Sequence, residues 1–422
     1  LVGSLHERLL QTLSAPSETS ILKQHQTTNS EALRDTGESA DASAQTSPFV
    51  ANEIVSSKLI AVEVAHGPEH ASERVHTLDY LRGTLALGVM VYHWKSVNNI
   101  HLGWFLDQAM TKIGPYSVCA FFVLSGMSLG LVYSGRNIDR KFLVEFAIKR
   151  LFRIVPLFWI TIILTILLDA WQRGSMADFP SFHRLALNLS MLFSWVEPTA
   201  SIPMGGWSIA DEMVFYSLFP VVLFLSRKSS QTAFLIVIIA LAFGAVFAFH
   251  LLDPSVNWDP QWALYVNPLN HLFLFVVGVV TAVRRLRLPL TTRWMAPALF
   301  FCILAFVMVP ANGAELFSGF GRVCYSSLAI LICWIVLDWK SGVGSFAPLL
   351  TWIGWISYGV YLLHPIFIRA SIFFIAYQLN RNPALISLCV GIPATLIGAT
   401  VSWVCFEKPM MQLGRRFLKT RA

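Results

Sequence analysis

Residues 78–97 read LDYLRGTLALGVMVYHWKSV. As a helix this run is long enough to cross a bilayer, since about 20 residues at a 1.5 Å rise cover roughly 30 Å of hydrocarbon. It also carries Arg82 toward one end and His93 toward the other. Eleven helical steps of 100° make three turns plus about 20°, so the two side chains share a face, about 16 Å apart along the axis. Ionisable groups inside a span are costly and mark function by default. A histidine alone in such a run reads as a hydrogen-bonded structural residue. An arginine in line with it, and polar residues in the neighbouring runs, favour a functional one.

Working outward, nine further apolar runs follow, near 115–134, 154–171, 208–226, 232–252, 265–283, 294–310, 322–338, 352–375 and 384–406. With only 13% of the 422 residues charged and 55% hydrophobic, against roughly 25% charged in soluble domains, the chain is not an ordinary soluble enzyme. Only helices suit such runs, because each backbone N–H and C=O must be satisfied within the span. The sequence therefore predicts an all-α, polytopic transmembrane bundle of about ten spans over residues 76–409. A polar N-terminal extension, 1–75, is expected to be disordered, and a basic cytoplasmic tail, 410–422, closes the chain. The weaker run 185–196 is bounded by His183, Arg184 and Pro198 and reads as a re-entrant or interfacial segment.

The net charge of +7 is read as topology rather than nucleic-acid binding, because the basic residues cluster in short loops. Ten crossings put Arg136, Arg140, Lys141, Lys149, Arg150, Arg153, Arg227, Lys228, Arg284, Arg285, Arg287, Arg293 and Lys340 on the inner side. Lys95, Lys112, Arg173, Arg184, Arg322 and Arg381 are left outside. The expected location is the cytoplasmic (inner) membrane, with both termini cytoplasmic. DRKFLVEFAIKRLFR, 139–153, is expected to lie along the inner surface and turn into a span at Pro156. LVGSLHERLL, 1–10, lacks a basic stretch followed by a long apolar core, so a secretory leader is not expected. The six cysteines all lie in apolar runs and read as small buried hydrophobes, and no metal site is expected.

Five other stretches carry chemistry. CAFFVLSGMSLG, 119–130, places Ser125 and Gly126 in a span, where small residues let helices approach closely; without a G-x-S-x-G elbow, Ser125 is a weak nucleophile candidate. Arg150 and Arg153 in KRLFRIVP, 149–156, share one helical face and suit a phosphate, because a guanidinium donates in two directions. Binding to lipid phosphates is the plain alternative. GGWSIADEMVFY, 205–216, aligns Ser208, Glu212 and Tyr216 on one stripe, with Glu212 able to orient an imidazole. GWISYGVYLLHP, 354–365, aligns Ser357, Tyr361 and His364. FEKP, 406–409, ends the last span with Glu407 in a structural position.

Together these stretches, in this order over residues 78–409, resemble the acyltransferase-3 family of membrane O-acyltransferases. The matching residues are Arg82, Gly83 and His93; Phe121, Phe122, Ser125 and Gly126; Arg150, Arg153 and Pro156; Trp207, Ser208, Glu212 and Tyr216; Ser357, Tyr358, Tyr361 and His364; and Phe406, Glu407 and Pro409. Leu85, Met127 and Asp211 stand where other residues are common. The extracytoplasmic SGNH domain of some members is not expected here. The resemblance implies transfer of an acyl group, commonly acetyl from acetyl-CoA, to hydroxyls of an envelope glycan, glycolipid or other glycoside. It implies His93 as base, Glu212 holding its ring, Arg82 along the donor path, and Arg150 and Arg153 on the phosphates of acyl-CoA. Trp207, Ser208, Ser125, Tyr216, Tyr361 and His364 would support substrate. Direct attack by the acceptor is the first reading and an acyl-histidine relay the variant. A transporter or flippase of a lipid-linked sugar or acyl compound is the rival class. The oligomeric state is open.

Overall fold

The computed structural model describes residues 76–175, 179–309, 313–339 and 343–419, so the expected N-terminal extension, Lys340 and the last three residues lie outside the described residues. Among the described residues there are helices and no strands. The main helices are α1 (His76–Val97), α2 (Trp104–Tyr133), α3 (Arg140–Arg173), α4 (Phe182–Ser190), α5 (Phe193–Val196), α6 (Gly206–Lys228), α7 (Ser230–Leu251), α8 (Trp258–Tyr265), α9 (Pro268–Val283), α10 (Thr292–Met308), α11 (Gly319–Asp338), α12 (Ala347–Ser371) and α13 (Pro383–Lys419).

All ten apolar runs are helical, but the count of ten spans is not reached. Seven helices are long and apolar enough to cross a membrane, or eight if α8 and α9, bent by 43° at their junction, form one broken span. The shortfall has a local cause: α1 carries Asp79, Arg82 and Lys95, and α10 has 17 residues. The segment 185–196 is too short to cross, because α4 stops after nine residues where Met191 turns left-handed at φ 58°.

Starts and stops follow side-chain chemistry. Asp139 caps α3 by accepting the Phe142 N–H at 2.7 Å, and Gly174 ends it in the left-handed conformation. Ser229 and Thr232 form a capping box at α7. Contrary to expectation, the chain does not turn at Pro156. α3 runs unbroken through it for 34 residues, about 51 Å at 1.5 Å each. A proline inside a helix removes one backbone hydrogen bond, and α3 continues past it with Ile154, Leu157 and Phe158 buried around it. The basic first turns of α3 therefore extend beyond what about 30 Å of hydrocarbon needs.

α2 lies at the centre, with 78% of its apolar window buried against 22% for α13. Its longest contact is with α9, and it depends on glycine. A Cβ on Gly126 would sit 2.2 Å from the Phe275 carbonyl oxygen, and one on Gly278 would sit 2.3 Å from that of Val123. α1 meets α12 the same way, since a Cβ on Gly354 would lie 2.6 Å from the Asp79 carbonyl oxygen. With no hydrophobic drive between helices in lipid, such close backbone packing supplies the association.

The arginine-rich turns gather at one end of the bundle. Arg227 donates to the Arg136 carbonyl at 2.6 Å, Arg284 to Ser230, and Arg287 pairs with Asp338. The end of α13 joins them by packing Gly414 against Phe152 of α3. Two cations assigned from sequence to outer loops are instead buried in helices. Lys112 of α2 and Arg322 of α11 are 0% and 1% exposed. Lys112 donates to the Val307 and Val309 carbonyls and Arg322 to that of Asn270. Cys324, Cys389 and Cys405 are exposed, not buried as expected, because apolar runs also face outward in a membrane bundle.

Candidate active site

All the sequence-selected site residues except His364 line two cavities. The first, about 180 Å³, is bounded by Arg82 of α1, Ser125 and Ser128 of α2, Arg150 and Arg153 of α3, Ser208, Glu212 and Tyr216 of α6, and Tyr358 and Tyr361 of α12. Arg82 pairs with Asp79 at 3.1 Å and donates to Ser128 Oγ at 2.5 Å. Arg150 stands in an aromatic box, its guanidinium carbon 5.6 Å from the Tyr216 ring, 5.7 Å from Phe146 and 6.0 Å from Tyr133. Its buried Nε has no hydrogen-bond partner among the described residues. Three guanidinium groups face one lining carboxylate, Glu212, which favours an anionic ligand.

Glu212 is committed elsewhere than expected. Its Oε1 accepts from Ser125 Oγ at 2.6 Å and from the Tyr216 hydroxyl. The helical stripe thus joins Glu212 to Tyr216, and the expected contact between Glu212 and the His93 ring is not made.

The second cavity, about 160 Å³, is lined by His93 and Tyr92 of α1, Gly114 and Pro115 of α2, Trp207 of α6, Met204 and Gly205 before it, Tyr265 and Tyr361. The partner of His93 is His364. His93 Nδ1 and His364 Nε2 are 2.8 Å apart, with the rings stacked at 5.0 Å. With both rings neutral, the bonding fixes the tautomers. His364 Nδ1 lies 2.9 Å from the Val360 carbonyl oxygen, which only accepts, so Nδ1 carries the proton. Neutral His364 then presents a bare Nε2, and His93 Nδ1 donates to it. His93 keeps an unprotonated Nε2, the atom a general base requires.

Trp207 and Ser208 are adjacent in sequence but serve different cavities. Ser208 Oγ is 2.7 Å from the Tyr361 hydroxyl. Trp207 packs against the rings of His271 and Tyr265. Sequence reasoning missed the direct His93–His364 bond, Ser128, and the buried pair Ser194–Asp211 that ties α5 to α6. The regular positions of His93 and His364, both toward the same end of adjacent spans, were the available signal for the first. The other two carry no pattern of their own. No cluster of three metal-ligating side chains occurs among the described residues.

Comparison with known proteins supplies the family. A family model described as an acyltransferase domain matches residues 75–404, and the chain belongs to that family. It is 26% identical to the exopolysaccharide production protein ExoZ of Rhizobium meliloti (strain 1021), over 72% of this chain and 91% of that protein. It is 27% identical to YrhL of Bacillus subtilis (strain 168), which bears a provisional peptidoglycan O-acetyltransferase name, over 82% of this chain and 56% of that protein. It is 23% identical to the O-acetyltransferase OatA of Staphylococcus aureus (strain NCTC 8325 / PS 47), over 80% of this chain and 57% of that protein. The chain thus spans little more than half the length of the last two. No solved structure matches.

Proposed function

We propose that this member of the acyltransferase family is an integral membrane O-acyltransferase of the cytoplasmic membrane. It moves an acyl group, acetyl by the names of its relatives, from acyl-CoA to a hydroxyl of an envelope polysaccharide, glycolipid or other glycoside. One observation carries the reading: a histidine pair whose bonding leaves His93 Nε2 bare, beside a cavity rich in guanidinium groups.

The arginine cavity suits a phosphorylated donor, since Arg150 holds an unpartnered buried Nε and the guanidinium groups outnumber the lining carboxylate. Acyl-CoA supplies the thioester carbonyl. Arg150 and Arg153 bind its phosphates, and Arg82, held by Asp79 and Ser128, keeps the path beside α2 positively charged. His93 Nε2 takes the proton of the acceptor hydroxyl as that oxygen attacks the carbonyl carbon. The new C–O bond forms, the C–S bond breaks, and His93 returns the proton to the departing sulfur. During this step His364 Nε2 accepts from His93 Nδ1, which steadies the imidazolium. The basic turns gathered at one end of the bundle support a cytoplasmic arginine cavity and cytoplasmic termini.

The test is purified protein in liposomes given radiolabelled acetyl-CoA together with envelope glycans. Label bound to glycan supports the transferase, whereas label that crosses the bilayer without joining an acceptor supports a transporter and removes this reading.

A further inference from the structure

The two cavities have only Val118 and Tyr361 in common among their lining residues. Tyr361 is 6% exposed, and three chain elements fix it. Its hydroxyl is 2.7 Å from Ser208 Oγ and 3.2 Å from the Gly205 carbonyl oxygen, to which Ser208 also donates at 2.9 Å. Ser208 lines the arginine cavity and Gly205 the histidine cavity, so the Tyr361 hydroxyl stands on the boundary. The ring is flanked edge-on by Phe121 at 5.9 Å and by His364 at 6.3 Å. The loop carbonyl comes this close because residue 205 is glycine. Its φ is 76°, and a Cβ there would lie 3.1 Å from the Tyr361 hydroxyl.

A transferase of this design has a chemical problem. A base that takes a proton from a sugar hydroxyl takes one equally well from water. Water attack forms a C–O bond, breaks the same C–S bond and returns one proton to sulfur, giving free thiol and a carboxylic acid that then loses its own proton to solvent, with no acceptor modified. Exclusion of water is the general remedy. Here the base lines one cavity and the guanidinium groups line the other. Tyr361 and Val118 lie between them, and of the two only Tyr361 is hydrogen-bonded to groups on both sides.

We propose that Tyr361, pinned by Ser208 and Gly205, is a septum that keeps the thioester apart from His93 until an acceptor occupies the histidine cavity, and so sets the preference for transfer over hydrolysis. The proposal rests on the acyl-transfer reading above. Tyr361 acts by separating reactants, so its removal should uncouple the reaction rather than merely slow it.

The experiment compares full-length wild type, Tyr361→Ala, Tyr361→Phe and Ser208→Ala in liposomes with acetyl-CoA and no acceptor, following release of free CoA thiol. Glycan acetylation by the same variants in cells is followed by mass spectrometry. Tyr361→Ala should raise acceptor-independent thiol release about tenfold relative to glycan acetylation, and Tyr361→Phe and Ser208→Ala, which keep the ring, about threefold. His93→Ala added to each should remove the excess release. Equal loss of both outputs in Tyr361→Phe and Ser208→Ala would overturn the septum and make Tyr361 an ordinary positioning residue. Unchanged ratios in these two variants would overturn it as well, even where Tyr361→Ala fails to fold. An active wild type with unchanged ratios refutes the septum alone. A wild type that neither releases thiol nor acetylates glycan refutes the transfer reading too.

Discussion

The arginine cavity and the histidine cavity are neighbours of similar volume, about 180 and 160 Å³, built on opposite principles. In the first, charge is plentiful and its groups are held by aromatic faces and several separate hydrogen bonds: Arg150 by three rings, Arg82 by Asp79, Ser128 and the Leu124 carbonyl. In the second, one charge-neutral chain of bonds, from His93 through His364 to the Val360 carbonyl, fixes a single proton arrangement. A site that grips a flexible polyanion needs several directional donors and tolerates slack. A site that moves a proton needs one atom in one protonation state, which a buried backbone acceptor enforces.

The comparison breaks most visibly at His93. His93→Ala should cut acyl transfer about a thousandfold, within the range for loss of a general base, while membrane insertion stays intact by fractionation. Transfer at a wild-type rate would remove the base from the second cavity.

The next effect in size belongs to the first cavity. The double variant Arg150→Ala, Arg153→Ala should raise KM for acyl-CoA about a hundredfold, as expected from losing charge-assisted hydrogen bonds, with kcat changed far less. If kcat fell and KM held, the arginines would belong to the chemistry and the contrast between the cavities would vanish.

The smallest effect sharpens the tautomer argument. His364→Gln keeps a side-chain acceptor for His93 Nδ1 but loses the link to Val360. Transfer should drop about tenfold, and the change should lie in kcat with KM for acyl-CoA unchanged. The sign of the pH effect is fixed by the role: protonation of His93 Nε2 removes its lone pair, so activity falls toward acid. A profile that fell toward alkali instead would contradict a base at this position.

Much of this was legible along the chain. The alternation of apolar runs with basic turns is a local property, and every one of the ten runs is helical. Helical spacing joined Glu212 to Tyr216 correctly, since residues four apart share a face. The same spacing could not choose between Glu212 and His364 as the partner of His93. All three were polar groups on separate helices, and which helices adjoin is decided by long-range packing. Pro156 misled for a related reason. Its local effect is to disfavour a helix, but α3 continues through it.

The sequence by itself determined the chemical inventory: helices suited to lipid, a cluster of guanidinium groups, two imidazoles and a carboxylate at fixed positions along their axes. These follow from side-chain chemistry and the helical repeat, which involve only nearby residues. Only the tertiary structure decided that α2 and α9 close to glycine contact and that α1 and α12 bring His93 onto His364. It alone divided the inventory between two cavities on either side of Tyr361. Those outcomes depend on which helix faces fit one another, and a free energy of packing shared among residues far apart in the chain is not written in any one stretch of it.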